Sequence, residues 1–171
     1  FCASGNFGPY SSTIISPGCS KYCIAVSAED PQWTNDESQL KLEILNLRDD
    51  TICDWSSRGP VPNVYPKPDI TAPGESIIGP WIVNGMLSEK IVSGTSMATP
   101  LISGASAVVI AQNKGLIDTV KAVHFWDKSI VVNAFDDALR ENAFVKGNVN
   151  DWGAGIAQFD QLSGAYRNKL L

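Results

Sequence analysis

The chain has 171 residues, of which 44% are apolar and 18% charged. This composition predicts one globular domain with a sizeable core and excludes a disordered chain. Thirteen Lys and Arg against eighteen Asp and Glu give a net charge of −5, which argues against a nucleic-acid binder because such a protein needs a basic surface. No apolar run approaches the roughly 18 residues of a membrane span. The sequence starts at Phe1, which we interpret as a processing site or a fragment edge.

The first part of the chain predicts loops and short strands. Residues 5–18 are rich in Gly, Pro and Ser and predict a loop. Residues 22–27 (YCIAVS) predict a buried strand, and the polar residues 29–38 predict another loop. Apolar residues alternate with charged ones at positions 40–44, which is the period of a half-exposed strand.

Helices dominate the predicted structure of the second half. Residues 55–85 contain many Pro and Gly and predict an extended, turn-rich stretch. The apolar segment Met97–Gln112 predicts a helix that packs closely against its neighbours through small residues and ends at Gly115. Further helices are predicted at residues 117–126, at residues 135–141, and after Gly153 and Gly155, where Phe159, Leu162, Tyr166 and Leu170 have helical spacing. The predicted fold class is therefore mixed α/β.

Three motifs carry the functional signal. Residues 3–9 are ASGNFGP, residues 56–60 (SSRGP) are followed by KPDITAPG at 67–74, and residues 93–100 are SGTSMATP. In order and spacing they resemble the C-terminal half of the catalytic domain of subtilisin-like serine peptidases (subtilases). The resemblance covers most of the chain. It implies the C-terminal part of a three-layer fold, with a mostly parallel central sheet and a buried helix after the nucleophile, and makes residues 1–171 the C-terminal portion of one catalytic domain.

Ser96 is the candidate nucleophile. Gly94 would place it on a tight turn at the start of the apolar helix, near the positive end of the helix dipole. Its hydroxyl could attack a carbonyl once a base removes the proton, and Pro100 would be tolerated in the first helical turn. The plain alternative is that Ser96 is only the helix N-cap. The resemblance favours the nucleophile.

Asn6 is the candidate oxyanion-binding residue. The tetrahedral intermediate of acyl transfer carries an oxyanion, which preorganised donors stabilise. The resemblance implies that the Asn6 side-chain amide and the Ser96 backbone N–H form this pair of donors. The alternative is that Asn6 occupies a left-handed turn position between two glycines.

The resemblance also implies substrate-binding and cation-binding segments. Ala3, Ser4 and Gly5 match the strip that lines one wall of the pocket for the side chain before the cut bond. Residues 17–23 match a loop whose carbonyls hold a cation in some subtilases, so a structural calcium ion is possible there, although we expect no metal site. In the same comparison the charged residues at positions 58, 67 and 69 belong to the framework.

Four cysteines lie at positions 2, 19, 23 and 53. An even number permits up to two disulfides, and three full pairings are possible. Structural or disulfide-linked cysteines, free core residues and a metal pair are the alternatives. We expect Cys2 to face the core rather than to react, since no basic residue lies near it in the sequence to lower its pKa.

A serine triad also needs a histidine base and an orienting carboxylate. In subtilases both precede the oxyanion asparagine, and neither motif is present in this sequence. The single histidine, His124, follows Ser96 in a helical context, and we interpret it as a surface or packing residue. Leu101 stands where the family usually has a histidine after the signature proline, which casts doubt on local packing more than on activity.

On this resemblance we predict an extracellular or cell-surface serine endopeptidase that cleaves polypeptides through an acyl-enzyme on Ser96. Its Asp and His would lie on an N-terminal segment or chain of the same peptidase, and the chemistry would need no cofactor. The alternative is a catalytically inactive subtilase-like module with a structural or interaction role. An α/β-hydrolase esterase is excluded, because residues 94–98 (GTSMA) lack the second glycine of Gly-x-Ser-x-Gly.

Overall fold

The main sheet is mostly parallel. A computed structural model describes residues 1–31, 50–63, 66–125, 127 and 129–171. Strand β2 pairs in parallel with β1 and β4 and antiparallel with β3. A separate antiparallel hairpin is formed by β5 and β6. The strands are β1 (Cys2–Ala3), β2 (Ala25–Asp30), β3 (Thr51–Ile52), β4 (Ile70–Pro73), β5 (Ile77–Val83) and β6 (Met86–Val92).

Helices pack against the main sheet and against one another. Helix α1 contacts β1, β2 and β4, while α5 contacts α1, α2 and α3. None of the helices in the described ranges is long and apolar enough to cross a lipid bilayer. The helices are α1 (Thr95–Gln112), α2 (Lys114–Val123), α3 (Ser129–Glu141), α4 (Val149–Trp152) and α5 (Leu162–Leu170). The predicted α/β fold class is confirmed.

Helix α1 is apolar on both of its faces, but only one is covered. Ala98 and Ile102 are fully buried against the sheet, and Val109 continues this face. On the adjacent face, Leu101 is 42% exposed and Val108 is 56% exposed within the part of the chain that the structure describes. The close packing expected from small residues therefore holds at Ala98, but not at the open position Gly104, where an added Cβ would meet nothing within 4 Å.

The buried strand lies three residues later than predicted. Tyr22 is 87% exposed in a turn, whereas β2 begins at Ala25 and continues through the buried side chain of Glu29. Strand pairing with β3 and β4 decides this end of β2, and it overrides the polar character of residues 29–30. The predicted strand at residues 40–44 and most of the predicted loop at residues 29–38 lie outside the described residues.

The turn-rich stretch predicted at residues 55–85 contains two strands. Strands β4 and β5 both lie within this stretch. They form because pairing with neighbouring strands overrides the local Pro and Gly content. The turn itself is Asn84-Gly85, with φ of 52° and 78°. Both residues have the positive φ that a two-residue type I′ hairpin turn requires. The predicted extended stretch did not include this hairpin, although Asn-Gly between apolar residues is typical of one.

Several helix boundaries differ from the predicted ones. Helix α1 starts two residues earlier, so Pro100 lies in its second turn rather than its first. Gly115 does not end α1: the helix stops at Gln112, and Gly115 lies inside α2. Helix α3 starts at Ser129, six residues before its predicted start, because it packs on α5. The short α4 was not predicted.

Candidate active site

Strand β1 delivers Asn6 to the start of helix α1. The Ser4 N–H donates to the Val26 carbonyl at 3.0 Å, which ends the pairing of β1 with β2. Gly5 then turns the chain with φ of 113°, and a Cβ there would lie 2.8 Å from Ser57 Oγ. A side chain at position 5 would be both strained and crowded. The glycine thus fixes the direction in which Asn6 leaves the sheet.

The Asn6 side chain bridges to the first residue of α1. Its Oδ1 accepts hydrogen bonds from the Thr95 N–H at 3.0 Å and from Thr95 Oγ1 at 2.8 Å. Because Oδ1 is held by both donors, Nδ2 is the atom left to act as a donor elsewhere. Asn6 is absent from the residues with positive φ in the described chain. The left-handed turn position considered as its alternative explanation is therefore wrong.

Ser96 is the second residue of α1 and is exposed. The N-cap is Gly94, with no side-chain hydrogen bond, so the interpretation of Ser96 as the N-cap is also wrong. The N–H groups of a first helical turn have no acceptor within the helix and carry its partial positive charge. The backbone N–H of Ser96 belongs to this turn. Ser96 therefore presents a free hydroxyl beside groups that favour negative charge.

Hydrogen bonds between residues 74–75 and residues 93–94, called the joint below, hold the turn that precedes Ser96. The Gly94 N–H donates to the Gly74 carbonyl at 2.8 Å. Next to this pair, the Glu75 carboxylate accepts two hydrogen bonds, one from Ser93 Oγ and one, at 3.0 Å, from Trp55 Nε1. These bonds, first of all that of Ser93, hold the pKa of Glu75 below its ordinary value. Neither Glu75 nor Ser93 was predicted as a site residue, although Glu75 directly follows Gly74 and Ser93 is the first residue of the third motif.

The three residues of the predicted pocket wall differ in accessibility. Ala3 is half-buried, whereas Ser4 and Gly5 are buried. The Ser4 hydroxyl faces the interior and has no hydrogen-bond partner among the described residues. The backbone of Gly5 is committed to Thr95 Oγ1 and to the Ser57 N–H. Their role in substrate binding stays a prediction.

A family model described as the subtilase family matches residues 1–155. This chain belongs to the subtilase family. It is 40% identical over 131 residues to serine protease AprX of Bacillus subtilis (strain 168), a match covering 70% of this chain and 27% of AprX. It is 35% identical over 121 residues to the minor extracellular protease Vpr of the same organism, with coverage of 62% and 15%.

Solved subtilase structures agree with the fold. Sphericase aligns with a TM-score of 0.62 at 27% identity, over 91% of this chain and 46% of sphericase. The S41 psychrophilic protease aligns with a TM-score of 0.61 at 26% identity, with the same coverage of both chains. The chain thus spans about a quarter of AprX and less than half of the two solved proteases.

Two charged motif residues of this subtilase, Lys67 and Asp69, form a buried cluster at the start of β2, whereas Arg58 pairs separately with Asp151. Asp69 is 1% exposed, and its carboxylate accepts from the Ala25 N–H at 2.6 Å, from Arg140 at 2.6 Å and from Lys67 Nζ. Lys67 is equally buried and also donates to the Cys23 carbonyl. The desolvation cost of these charges is offset only because each is paired. They fasten strands and helices together and lie in the framework.

The loop at residues 17–23 does not fit a cation cage. The Pro17 carbonyl accepts from the Ser20 N–H at 3.0 Å and from Cys23 Sγ at 2.8 Å. The Cys23 carbonyl faces the Lys67 ammonium, which repels a cation. Within the described ranges, no cluster of three or more His, Cys, Asp or Glu could hold a metal ion.

His124 lies at the exposed C-terminal end of α2. The pKa of nearby Asp127 is lowered first by its hydrogen bonds with Ser129 and only to a lesser degree by His124. Nothing at this position links the imidazole to Ser96. Of the two interpretations from the sequence, the exposure of His124 favours a surface residue over a packing residue.

Proposed function

We propose that this chain supplies the nucleophile and the oxyanion-binding groups of a subtilisin-like serine endopeptidase. Ser96 is the nucleophile, and the Asn6 amide together with the Ser96 backbone N–H binds the oxyanion. The activating histidine and its carboxylate come from an N-terminal segment or chain of the same peptidase.

One observation carries the proposal: Asn6 is held by the residue directly before Ser96. The two bonds from Thr95 to Asn6 Oδ1 orient the amide, so that Nδ2 is available beside the start of α1. An added Cβ on Gly94 would lie only 3.3 Å from Nδ2, so glycine lets the backbone approach the amide closely. A donor fixed before the reaction needs no reorganisation when charge develops, which is how an oxyanion hole lowers a barrier.

The proposed chemistry follows from these positions. Ser96 Oγ attacks the peptide carbonyl carbon while the histidine takes its proton, and the carbonyl oxygen becomes an oxyanion between Asn6 Nδ2 and the Ser96 N–H. The intermediate collapses to an acyl-enzyme when the histidine returns the proton to the leaving amine. Water then attacks the acyl carbon, and Ser96 is regenerated.

The uncovered face of α1 supports a missing partner segment. A helix that is apolar on all sides is expected to be buried, yet Leu101 and Val108 are exposed on this chain. The chain also spans less than half of the solved subtilases that it matches. We propose that the segment with the Asp and His covers this face. The assembled peptidase would cleave polypeptides, and its chemistry would need no cofactor. We propose an extracellular location, because its relative Vpr is named an extracellular protease.

A fluorophosphonate probe tests the nucleophile in the assembly of this chain with its partner segment. Ser96 Oγ displaces fluoride from phosphorus only when it is activated, so intact-mass analysis under denaturing conditions should find one adduct, mapped to Ser96. Ser96→Ala should abolish labelling, while Ser88→Ala, at an exposed position of the hairpin, should leave it unchanged. Asn6→Ala should lower kcat by about 10²–10³-fold, the loss known for an oxyanion-hole amide in this family.

A catalytically inactive module is the second candidate function. It is disfavoured because a structural module needs neither an exposed Ser96 nor an oriented Asn6 amide. An unlabelled Ser96 in an assembly that contains the Asp and His would overturn the peptidase proposal and favour this alternative. A partner polypeptide that lacks both residues would have the same consequence.

A further inference from the structure

Two of the four cysteines come together at the start of the sheet. Cys2 begins β1, where its N–H donates to the Ile24 carbonyl at 2.8 Å and its register partner is Ala25. Cys23 directly precedes Ile24, so the first hydrogen bond of the ladder brings the two cysteines to the same end of the strands. The interaction with the Cys23 thiol also contributes to the raised pKa of Cys2, after burial.

We propose that Cys2 and Cys23 are a disulfide-forming pair that closes covalently across the start of β1 and β2. The other two cysteines stay reduced. The bond closes the segment of residues 2–23, which includes Asn6, and fastens the strand that delivers Asn6 to the entry of β2. This inference does not depend on peptidase activity.

The surroundings of the pair suit this chemistry. Both residues are half-buried rather than enclosed, and Cys23 Sγ donates to the Pro17 carbonyl, which holds the thiol at the loop surface. Burial, followed by the contact with Cys23, raises the pKa of Cys2, while the Lys67 ammonium and the chain N-terminus oppose the rise. Lys67 is distant from Cys2 in the sequence but close to it in the fold, and its charge partly offsets the effect of burial on the thiol.

The remaining cysteines are poor partners. Cys53 is 5% exposed within the core, and burial raises the pKa of its thiol to about 12. Such a thiol is neither ionised nor accessible to an oxidant. Cys19 is half-buried and its N–H donates to the Ile15 carbonyl, but no hydrogen bond joins its thiol to another described residue. The backbone ladder between β1 and β2 therefore favours the Cys2–Cys23 pairing among those that the sequence left open.

The reaction is thiol–disulfide exchange with a small-molecule disulfide such as oxidised glutathione. The thiolate of one cysteine attacks a sulfur of the small disulfide, forms a mixed disulfide and releases one small thiol. The second cysteine attacks the protein sulfur of the mixed disulfide and releases the other small thiol. The protein dithiol loses two protons and two electrons in total, and the small disulfide gains them. An oxidising extracellular setting would supply such an oxidant.

Peptide mapping of the full chain tests the pairing directly. The protein is incubated with oxidised or reduced glutathione, alkylated in denaturant and digested with chymotrypsin without reduction. Cleavage after Phe7, Tyr10 and Tyr22 puts Cys2, Cys19 and Cys23 on separate peptides. The oxidised sample should contain one linked species joining the Cys2 and Cys23 peptides, lighter than their sum by two hydrogens, with the remaining thiols alkylated. Four alkylated thiols after oxidation, or a linkage that includes Cys19 or Cys53, would overturn the proposal.

Thermal unfolding of matched variants adds a second readout. Oxidation should raise the Tm of the wild-type chain and of Cys19→Ser, the control from the same loop, by similar amounts. Cys23→Ser should show no such rise, and its peptide map should lack the link. An equal rise of Tm in Cys23→Ser would contradict the proposal. If that variant does not fold, the wild-type and Cys19→Ser maps still decide the pairing.

Discussion

The sheet-and-helix body and the β5–β6 hairpin are neighbours in the chain but are held in different ways. In the body, Ile70, Ala98 and Ile102 are fully buried among strands and helices. In the hairpin, the strands pair mainly with each other, and Ile82 and its register partner Leu87 are 70% and 81% exposed. The body depends on tertiary packing, whereas the hairpin depends on strand pairing and its turn.

The candidate site lies where these two regions meet. Asn6 reaches α1 from the sheet of the body, while Ser93 and Glu75 belong to the base of the hairpin. The turn before Ser96 is therefore fixed from both sides. An isolated two-stranded hairpin is marginally stable in water, so its ordered base must come from the body. We therefore expect substitutions in the hairpin to leave the fold intact and substitutions at its base to disturb it.

The largest effect is expected at the buried charges of the body. Asp69→Ala should lower the free energy of unfolding by about 3–5 kcal/mol, because it leaves the Lys67 ammonium buried without its anion. Asp136→Ala removes only the half-buried pair with Arg140 and should cost less than about 1 kcal/mol. Urea unfolding of both variants measures the difference. Equal losses would show that Asp69 is not the centre of the cluster.

A core truncation on α1 separates its covered face from its open face. Ile102→Ala should cost about 2–5 kcal/mol, since the side chain is fully buried. Val108→Ala, on the open face of the same helix, should change the stability of this chain by no more than about 0.5 kcal/mol. In the assembly with the proposed partner segment, the cost of Val108→Ala should increase. If the cost of Val108→Ala did not increase in the assembly, the partner segment would not cover this face of α1.

The joint between the two regions should respond to acid. The folded state lowers the pKa of Glu75 from its ordinary value of 4.5, so Glu75 contributes stability above that pH which is lost as the pH falls through the folded pKa. Glu75→Gln should therefore flatten the loss of stability below about pH 4.5. Denaturant unfolding over that pH range measures this. The control Glu89→Gln, at an exposed hairpin position, should alter the acid dependence less. If both variants altered it equally, Glu75 would not stabilise the joint.

The smallest effect is expected on the hairpin itself. Ile82→Ser replaces a side chain that is 70% exposed and should change the free energy of unfolding by no more than about 0.5 kcal/mol. Thermal and urea unfolding of this variant, beside Ile102→Ala, compare the two regions directly. A loss above about 2 kcal/mol would mean that the hairpin face is covered in solution, and the contrast drawn above would fail.

Local motifs predicted part of the fold and of the site. The GTSMA segment and ASGN identified the residues around Ser96 and Asn6, and helical spacing located the apolar helices. Helix boundaries and the strands within residues 55–85 were less predictable, because strand pairing decides them and the pairing partners are distant in sequence. Asn84-Gly85 was the one local signal for the hairpin.

The sequence by itself determined the family, the α/β class and the identity of the two candidate catalytic residues, since short motifs encode turns and helix starts through neighbouring residues. Only the tertiary structure decided that Asn6 Oδ1 is held by Thr95, that Glu75 and Ser93 brace the turn, and that Cys2 pairs through its backbone with Ile24, next to Cys23. These contacts join positions up to 89 residues apart. Long-range hydrogen bonds form only when packing of the sheet and helices brings their donors and acceptors together.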